Sequence, residues 1–375
     1  MNELRMAVIG IKGVGRGHVE AIATDQRAEL VALADLDQSA MEVMAAEHST
    51  RAYTDYRRLL EREEIDAVVI ATPHHLHGPM CLEALAAGAH VYLEKPIANR
   101  VSDADRIVAS AHEKGLVVAV GHQYRTFPGN VKLKEIVDSG LIGDLNRILW
   151  QWLEARPETY YDRDIWRCTW EHAGGGVLMN QTSHDLDLLC WLAGDPVEVS
   201  AMIRNWGHRH QVEDTAVASI GFASGALANV QLSTCSHTLN YRQIAGDKGM
   251  ILFQDETNAN VHVPQVFRVG TYDTSMRDTI GGGGGTVSRA RPAWRDIDCS
   301  DALSPTLFDS FVSAIADGSA PITDAASARR TIELINAIVL SGIRRKTVSL
   351  PVDRDEYDEL MDELIRGDVK VEGSG

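Results

Sequence analysis

The sequence predicts an α/β protein in two parts: a doubly wound parallel sheet first, then a second domain that combines helices with an antiparallel sheet. Three observations carry this reading. Over about the first 120 residues, short apolar runs alternate with helical patterns, as βαβ units require. After about residue 125 that rhythm stops. From Val197 to about Val269, apolar and polar residues alternate between turn-forming stretches at Gly207, Ala223–Gly225 and Gly246–Gly249, the pattern of antiparallel strands. A length of 375 residues suits two domains at about 100–200 residues each.

The elements follow in order. Met6–Gly10, Leu30–Asp35, Ala67–Ala71, His90–Glu94 and Val117–Gly121 are compact apolar runs, as expected for strands buried on both faces. Helical segments lie between them at Gly17–Thr24, Ser39–His48, Tyr56–Arg62, Pro79–Ala87 and Ser102–Lys114; Gly88 and Gly115 stand where left-handed caps are wanted. Beyond residue 125, Val131–Ser139 reads as a helix ending at Gly140, and Leu145–Leu153 as a strand. Gly174-Gly175-Gly176 opens an apolar helix, about Val177–Leu192. Helices at Pro305–Asp317 and Ala325–Arg345 precede a strand at Thr347–Leu350. The five glycines Gly281 to Gly285 read as a mobile loop or lid, and residues 353–375 as a charged, partly disordered tail.

Composition excludes several classes of function. Lys plus Arg number 36 against 53 Asp plus Glu, a formal charge of −17, whereas a nucleic-acid binder needs a basic face. No apolar run approaches the ~18 residues of a membrane span, and Met1–Arg5 runs straight into a strand, leaving no room for a signal peptide. Cys81, Cys168, Cys190, Cys235 and Cys299 are scattered and odd in number, which fits a reducing, cytoplasmic setting rather than a disulfide framework. His74-His75-Leu76-His77 and His208-Arg209-His210 raise a metal question, but neither is completed by an acidic residue at helical spacing, so no metal is assigned.

The first strand runs into Gly10-Ile11-Lys12-Gly13-Val14-Gly15. A dinucleotide site needs glycines here, so that backbone N–H groups at a helix N-terminus can approach a pyrophosphate. Lys12 occupies the place of the middle glycine of the strict motif; Gly13 can restore flexibility, and Lys12 can add a cation near the phosphates. Asp35 ends the next strand, 20 residues beyond Gly15, where a carboxylate accepts from the adenosine ribose hydroxyls and, with Asp37, repels a 2′-phosphate. NAD is therefore expected over NADP. Glu94-Lys95-Pro96 follows the fourth strand, which would point Lys95 to the ligand end of the sheet. Asn180 and His184 stand at i and i+4, sharing a face if the segment is one helix; His184 is either a general base or a capping or core histidine.

With these stretches in view, the chain resembles the Gfo/Idh/MocA family of NAD(P)-dependent oxidoreductases acting on sugars and cyclitols. The resemblance rests on Val8–His18, Ala71–His77, Val91–Pro96, Gly121–Arg125, Ser139–Asp144, Gly174–Asp187 and the late helix before Val348–Pro351, so it spans about residues 5–351. It implies an N-terminal Rossmann domain, residues 1–124, and a C-terminal α/β domain, residues 125–352, with a large, mostly antiparallel open sheet and the active site at their cleft. It implies that Lys95 hydrogen-bonds the reacting hydroxyl and that His184 exchanges its proton. The family's usual Asp is Asn180 here, which cannot titrate and can only orient a hydroxyl. His77 reads either as a residue near the nicotinamide ribose, with Thr72 and Pro73 shaping the turn, or as a helix-start histidine without contact; Gly10, Lys12, Gly13, Val14, Gly15, Asp35, Thr72, Pro73, Glu94, Lys95 and Arg125 make up the rest of the expected cofactor set.

Arg156–Trp170 is rich in arginine and aromatic residues and reads as either a substrate-recognition loop or domain core; Tyr124, Arg156, Tyr160, Trp166, Arg167, Asn180, His184 and Lys95 form the expected substrate set. The leading reading is an NAD-dependent dehydrogenase of a sugar, glycoside or inositol ring, and a homodimer or homotetramer. Its rivals are a glycosidase using transient oxidation by held NAD, and a non-catalytic sugar sensor. A negative field favours a neutral ring over an anionic nucleotide sugar.

Overall fold

A computed structural model describes residues 3–255, 264–282 and 291–373. The chain divides into two compact units, one of Met1–Gln123, Glu171–Gly174 and Pro305–Ile332, the other of Tyr124–Trp170, Gly175–Ser304 and Glu333–Gly375. No described helix is long and apolar enough to cross a membrane.

In the first unit, six strands among the described residues are β1 (Leu4–Ile9), β2 (Ala28–Ala34), β3 (Arg51–Tyr53), β4 (Ala67–Ile70), β5 (His90–Leu93) and β6 (Val118–Val120). All pair in parallel, in the order β3-β2-β1-β4-β5-β6. This is the doubly wound order of dinucleotide-binding sheets, in which ligands bind at the carboxyl ends of the strands. β4 is buried along its whole length, which is why it is legible as an uninterrupted apolar run. β3 is not: its three residues carry no apolar run and are identified by pairing with Ala32–Ala34. The helix Leu307–Asp317 returns to this unit, bringing Phe311 edge-on to Tyr92 with ring centroids 5.8 Å apart. Residue Thr323 then covers the β6 edge, its carbonyl accepting from Val120 N at 2.9 Å.

In the second unit, nine strands among the described residues are β7 (Leu145–Leu153), β8 (Pro196–Arg204), β9 (Thr215–Phe222), β10 (Leu227–Ser233), β11 (Leu239–Gly246), β12 (Gly249–Asp255), β13 (Val266–Thr271), β14 (Ala293–Asp296) and β15 (Val348–Ser349). Their order is β14-β13-β12-β11-β7-β10-β9-β8-β15, antiparallel throughout except where β7 meets β10. The alternation seen in the sequence is the burial of one face: along β9 and β10, buried residues such as Ala216, Ala218, Ala228 and Val230 alternate with exposed ones.

Three expectations are corrected. The single helix expected at Val177–Leu192 is a π-turn, Val177–Gln181, then a helix, Ser183–Ala193, joined at Thr182. The charged tail holds a helix, Arg354–Arg366, that buries Tyr357, Leu360, Met361 and Leu364. It is tied down by Arg354 on Glu333 at 2.7 Å, Asn336 donating to the Tyr357 hydroxyl at 2.9 Å, and Arg344 on Glu363 at 2.6 Å. Gly281 closes the helix Met276–Gly281 rather than lying in a loop; Gly283–Gly285 lie outside the described residues.

Candidate active site

The first unit gathers the cofactor motifs at the carboxyl ends of its strands. After β1 the chain turns so tightly that a Cβ on Gly15 would sit 2.0 Å from the Gly10 carbonyl oxygen, so only glycine fits. Gly13 takes φ +55° with nothing near its missing side chain. It opens the helix Val14–Thr24, whose first turn is capped by no described side chain and contains no acidic residue. By contrast, the next helix, Gln38–Glu47, is capped by Asp37, which accepts from Ala40 N at 3.1 Å. An uncapped N-terminus behind a bare glycine turn is the cradle a pyrophosphate requires, so the residues fit NAD.

Asp35 stands at the end of β2 and ties two loops together: one oxygen accepts from Ile11 N at 3.0 Å, the other from Asp37 N at 2.9 Å. A carboxylate has further lone pairs for ribose hydroxyls. Lys12 is held by Asp37 at 2.6 Å, and the contact keeps the Asp37 carboxyl down at about 2.

After β4, His77 begins the helix His77–Ala86, the position of its helix-start reading. It is fully buried, with ring nitrogens 2.6 Å from the Pro96 carbonyl and 2.8 Å from that of Thr72. Burial lowers its pKa against those contacts. It braces the Thr72–Pro73 turn against the Glu94-Lys95-Pro96 turn. After β5, Glu94 meets His18 at 2.8 Å; burial pulls the carboxyl up, but the His18 contact and the charges of Lys95 and His77 outweigh it and hold it below its ordinary value. Lys95 follows directly at the carboxyl end of β5, and its peptide to Pro96 is cis.

The second unit carries its own cluster of polar residues around the helix Ser183–Ala193. His184 is buried and its ring lies on that of Tyr124, with centroids 4.5 Å apart and planes at 21°. Two buried carboxylates fix this helix. Asp187 accepts two 2.7 Å hydrogen bonds from Arg125 Nε and Nη2. Asp185 accepts from Trp150 Nε1 at 2.9 Å and Arg242 Nη2 at 3.0 Å, and burial still raises its pKa. Arg125, expected to reach cofactor or substrate, pairs with Asp187 in this unit.

The expected substrate residues Arg156, Tyr160, Trp166, Arg167 and Asn180 come together in one array. Arg167 Nη1 donates to Asn180 Oδ1 at 3.1 Å and to the Tyr160 hydroxyl at 3.3 Å, and its guanidinium lies over Trp166. Gln181 donates to the same hydroxyl at 2.8 Å and accepts from Arg156 Nε at 3.1 Å, while Arg156 also pairs with buried Glu154. Such alternating donors and acceptors around aromatic faces suit a polyhydroxylated ring. The π-turn interposes Thr182 between Asn180 and His184, so the simple i, i+4 facing of one α-helix does not hold.

Sequence reading missed Arg242 and Glu213, whose partners are distant in the chain, and Glu154, which pairs with nearby Arg156; Gln181, Asp185 and Asp187 lie within the Gly174–Asp187 stretch, which assigns them no role. Of the histidine clusters, His208 meets Asp214 at 3.2 Å, and Cys235 donates to the same carboxylate at 3.1 Å. Asp214 also accepts from the backbone of Trp206 and Gly207, so these contacts pin a turn; burial and Asp214 push the Cys235 thiol up to about 12.

Two family descriptions match the chain: an oxidoreductase-family, NAD-binding Rossmann fold over residues 4–122 and a GFO/IDH/MocA C-terminal domain over residues 130–252. A 1-carboxy-3-chloro-3,4-dihydroxycyclo hexa-1,5-diene dehydrogenase of Comamonas testosteroni is 32% identical over 234 residues, 61% of this chain and 58% of that protein. The match thus spans under two thirds of that relative's length. A myo-inositol 2-dehydrogenase of Thermotoga maritima is 27% identical over 257 residues, 66% of this chain and 74% of that protein. Among solved structures, the WlbA dehydrogenase from Bordetella pertussis, in complex with NADH and UDP-GlcNAcA, is 26% identical and covers 94% of this chain and 100% of its own, with a TM-score of 0.80. The glycine cradle, the Rossmann strand order and both matched domains converge: the chain belongs to the GFO/IDH/MocA family and is an NAD-binding oxidoreductase.

Proposed function

We propose that this oxidoreductase interconverts a secondary alcohol and a ketone on the ring of a neutral sugar, glycoside or inositol. The observation that carries the reading is the hydrogen-bonded array of Arg156, Tyr160, Gln181, Arg167 and Asn180 in the unit that also holds His184. The relatives named as dehydrogenases of a carboxylated, dihydroxylated ring and of myo-inositol support a hydroxylated ring as substrate.

NAD, when bound, supplies the hydride acceptor for alcohol oxidation. The chain's own residues do the rest. The Lys95 ammonium donates to the reacting oxygen and favours its alkoxide character. His184 takes the hydroxyl proton, its ring held by Tyr124 stacking and by the braced helix beneath it. In the reverse direction the same two groups return a proton to the carbonyl oxygen. Asn180, already accepting from Arg167, orients a neighbouring hydroxyl and moves no proton. The protein is proposed to act in the cytoplasm as a homodimer or homotetramer.

Lys95→Ala tests the assignment in steady-state assays of NAD reduction. Expected is a fall in kcat of about 100-fold or more with NAD affinity changed little, as for loss of a group that stabilises transition-state charge. Unchanged turnover removes Lys95 from the mechanism.

A further inference from the structure

The π-turn that precedes His184 begins with three successive backbone N–H groups, and one residue satisfies all three. Glu213 Oε1 accepts from Gly176 N at 2.9 Å and from Leu178 N at 3.0 Å, and the Glu213 carbonyl accepts from Val177 N at 2.9 Å. These are the N–H groups a helix start leaves without intrahelical partners. Glu213 is fully buried, so N–H groups left without it would face the protein interior unpaired. The approach is as close as backbone permits: a Cβ on Gly176 would lie 1.8 Å from the Glu213 carbonyl oxygen. This contact gives the third glycine of the triplet its reason.

The anchor itself is rigid. Glu213 leads into β9, and its neighbour Asp214 accepts from Trp206 N and Gly207 N, both at 2.8 Å. The Asp214 backbone is bonded on both sides, its N–H to Arg204 O and its carbonyl to Thr234 N, each at 2.9 Å. The two adjacent acids thus pin two separate segments to the sheet. Asp214 holds the turn at 206–208, and Glu213 holds the turn that leads through Asn180 to His184.

We propose that Glu213 is a positioning residue for the proton-transferring face of this unit: by accepting from the Gly176 and Leu178 N–H groups it sets where the Asn180 turn and the His184 helix begin. The inference rests on the reading that His184 exchanges the substrate proton. Glu213 touches neither substrate nor cofactor in this role. It acts through backbone geometry, and an error of about 1 Å at a reacting group costs on the order of 100-fold in rate.

The test compares Glu213→Gln, which keeps an acceptor for both N–H groups, with Glu213→Met, which fills the space but accepts nothing. Glu213→Asp, one carbon too short to reach, runs in parallel should the Met variant fail to fold. Folding is verified by thermal melting and by NAD affinity, which depends on the other unit's glycine turn. Expected are a kcat for Gln within about 3-fold of wild type and a fall of roughly 30- to 100-fold for Met or Asp, with NAD affinity unchanged. Wild-type kcat in a folded Met or Asp variant overturns the proposal. So does an equal loss in Gln, which would assign the effect to charge rather than to acceptance. His184→Ala is the separate control: if it retains full turnover, the reading of His184 fails, whatever the Glu213 series does.

Discussion

Replacing Asp187 by Asn would expose how the His184 helix is held. Arg125 and Asp187 are 4% and 0% exposed at their side chains, and two hydrogen bonds of 2.7 Å join them. Asn leaves one acceptor and turns an NH2 group toward a guanidinium N–H, so a buried cation loses its counter-charge and one of its bonds. Breaking a buried pair from one side costs about 3–5 kcal/mol. The Trp191 face, 5.4 Å from the guanidinium, offsets little of this. All seven tryptophans lie in the second unit, so urea unfolding followed by their fluorescence reports on the unit concerned. With a slope of about 3 kcal/mol per M, the midpoint falls by about 1 M. The double variant Arg125→Met, Asp187→Leu should recover most of the loss, because an apolar pair of similar volume replaces a buried ion pair at little cost. A midpoint shift below about 0.3 M, or a double variant as damaged as the sum of its singles, refutes this reasoning.

Two further outcomes follow from other parts of the molecule. Asp35→Ser removes the carboxylate expected to meet the adenosine ribose, so kcat/KM with NADP relative to NAD should rise by about tenfold or more; an unchanged ratio would take cofactor choice away from Asp35. Glu213 gives the second unit a pH-dependent term, because burial raises its carboxyl to about 7 from an ordinary 4.5. A raised acid stabilises fully below its unfolded pKa, and that contribution is lost as pH rises through the folded one, here about 3 kcal/mol between pH 4.5 and 7. Glu213→Gln should flatten that fall in unfolding free energy; a parallel curve for the variant would contradict it.

Much of this was legible because local chemistry wrote it. The buried strands of the parallel sheet are unbroken apolar runs, the glycine turn follows β1, and Glu94-Lys95-Pro96 ends β5. The array proposed to meet substrate was visible as a cluster of Arg and aromatic residues, because its members mostly lie within one segment of chain. What stayed hidden depends on pairing across distance. β3 has no pattern of its own, Glu213 reaches Gly176 across 37 residues, and Arg242 reaches Asp185 across 57. The C-terminal helix is a different case: Tyr357, Leu360, Met361 and Leu364 keep helical spacing, but the density of charge around them masked it.

The most direct measurement is NADH formation at about 340 nm over a panel of inositols, hexoses, glycosides and nucleotide sugars, run with wild type and Lys95→Ala. The account expects net NADH with one or more neutral rings, abolished in the variant while NAD still binds. Loss of substrate without net NADH, or turnover that survives Lys95→Ala, would contradict it.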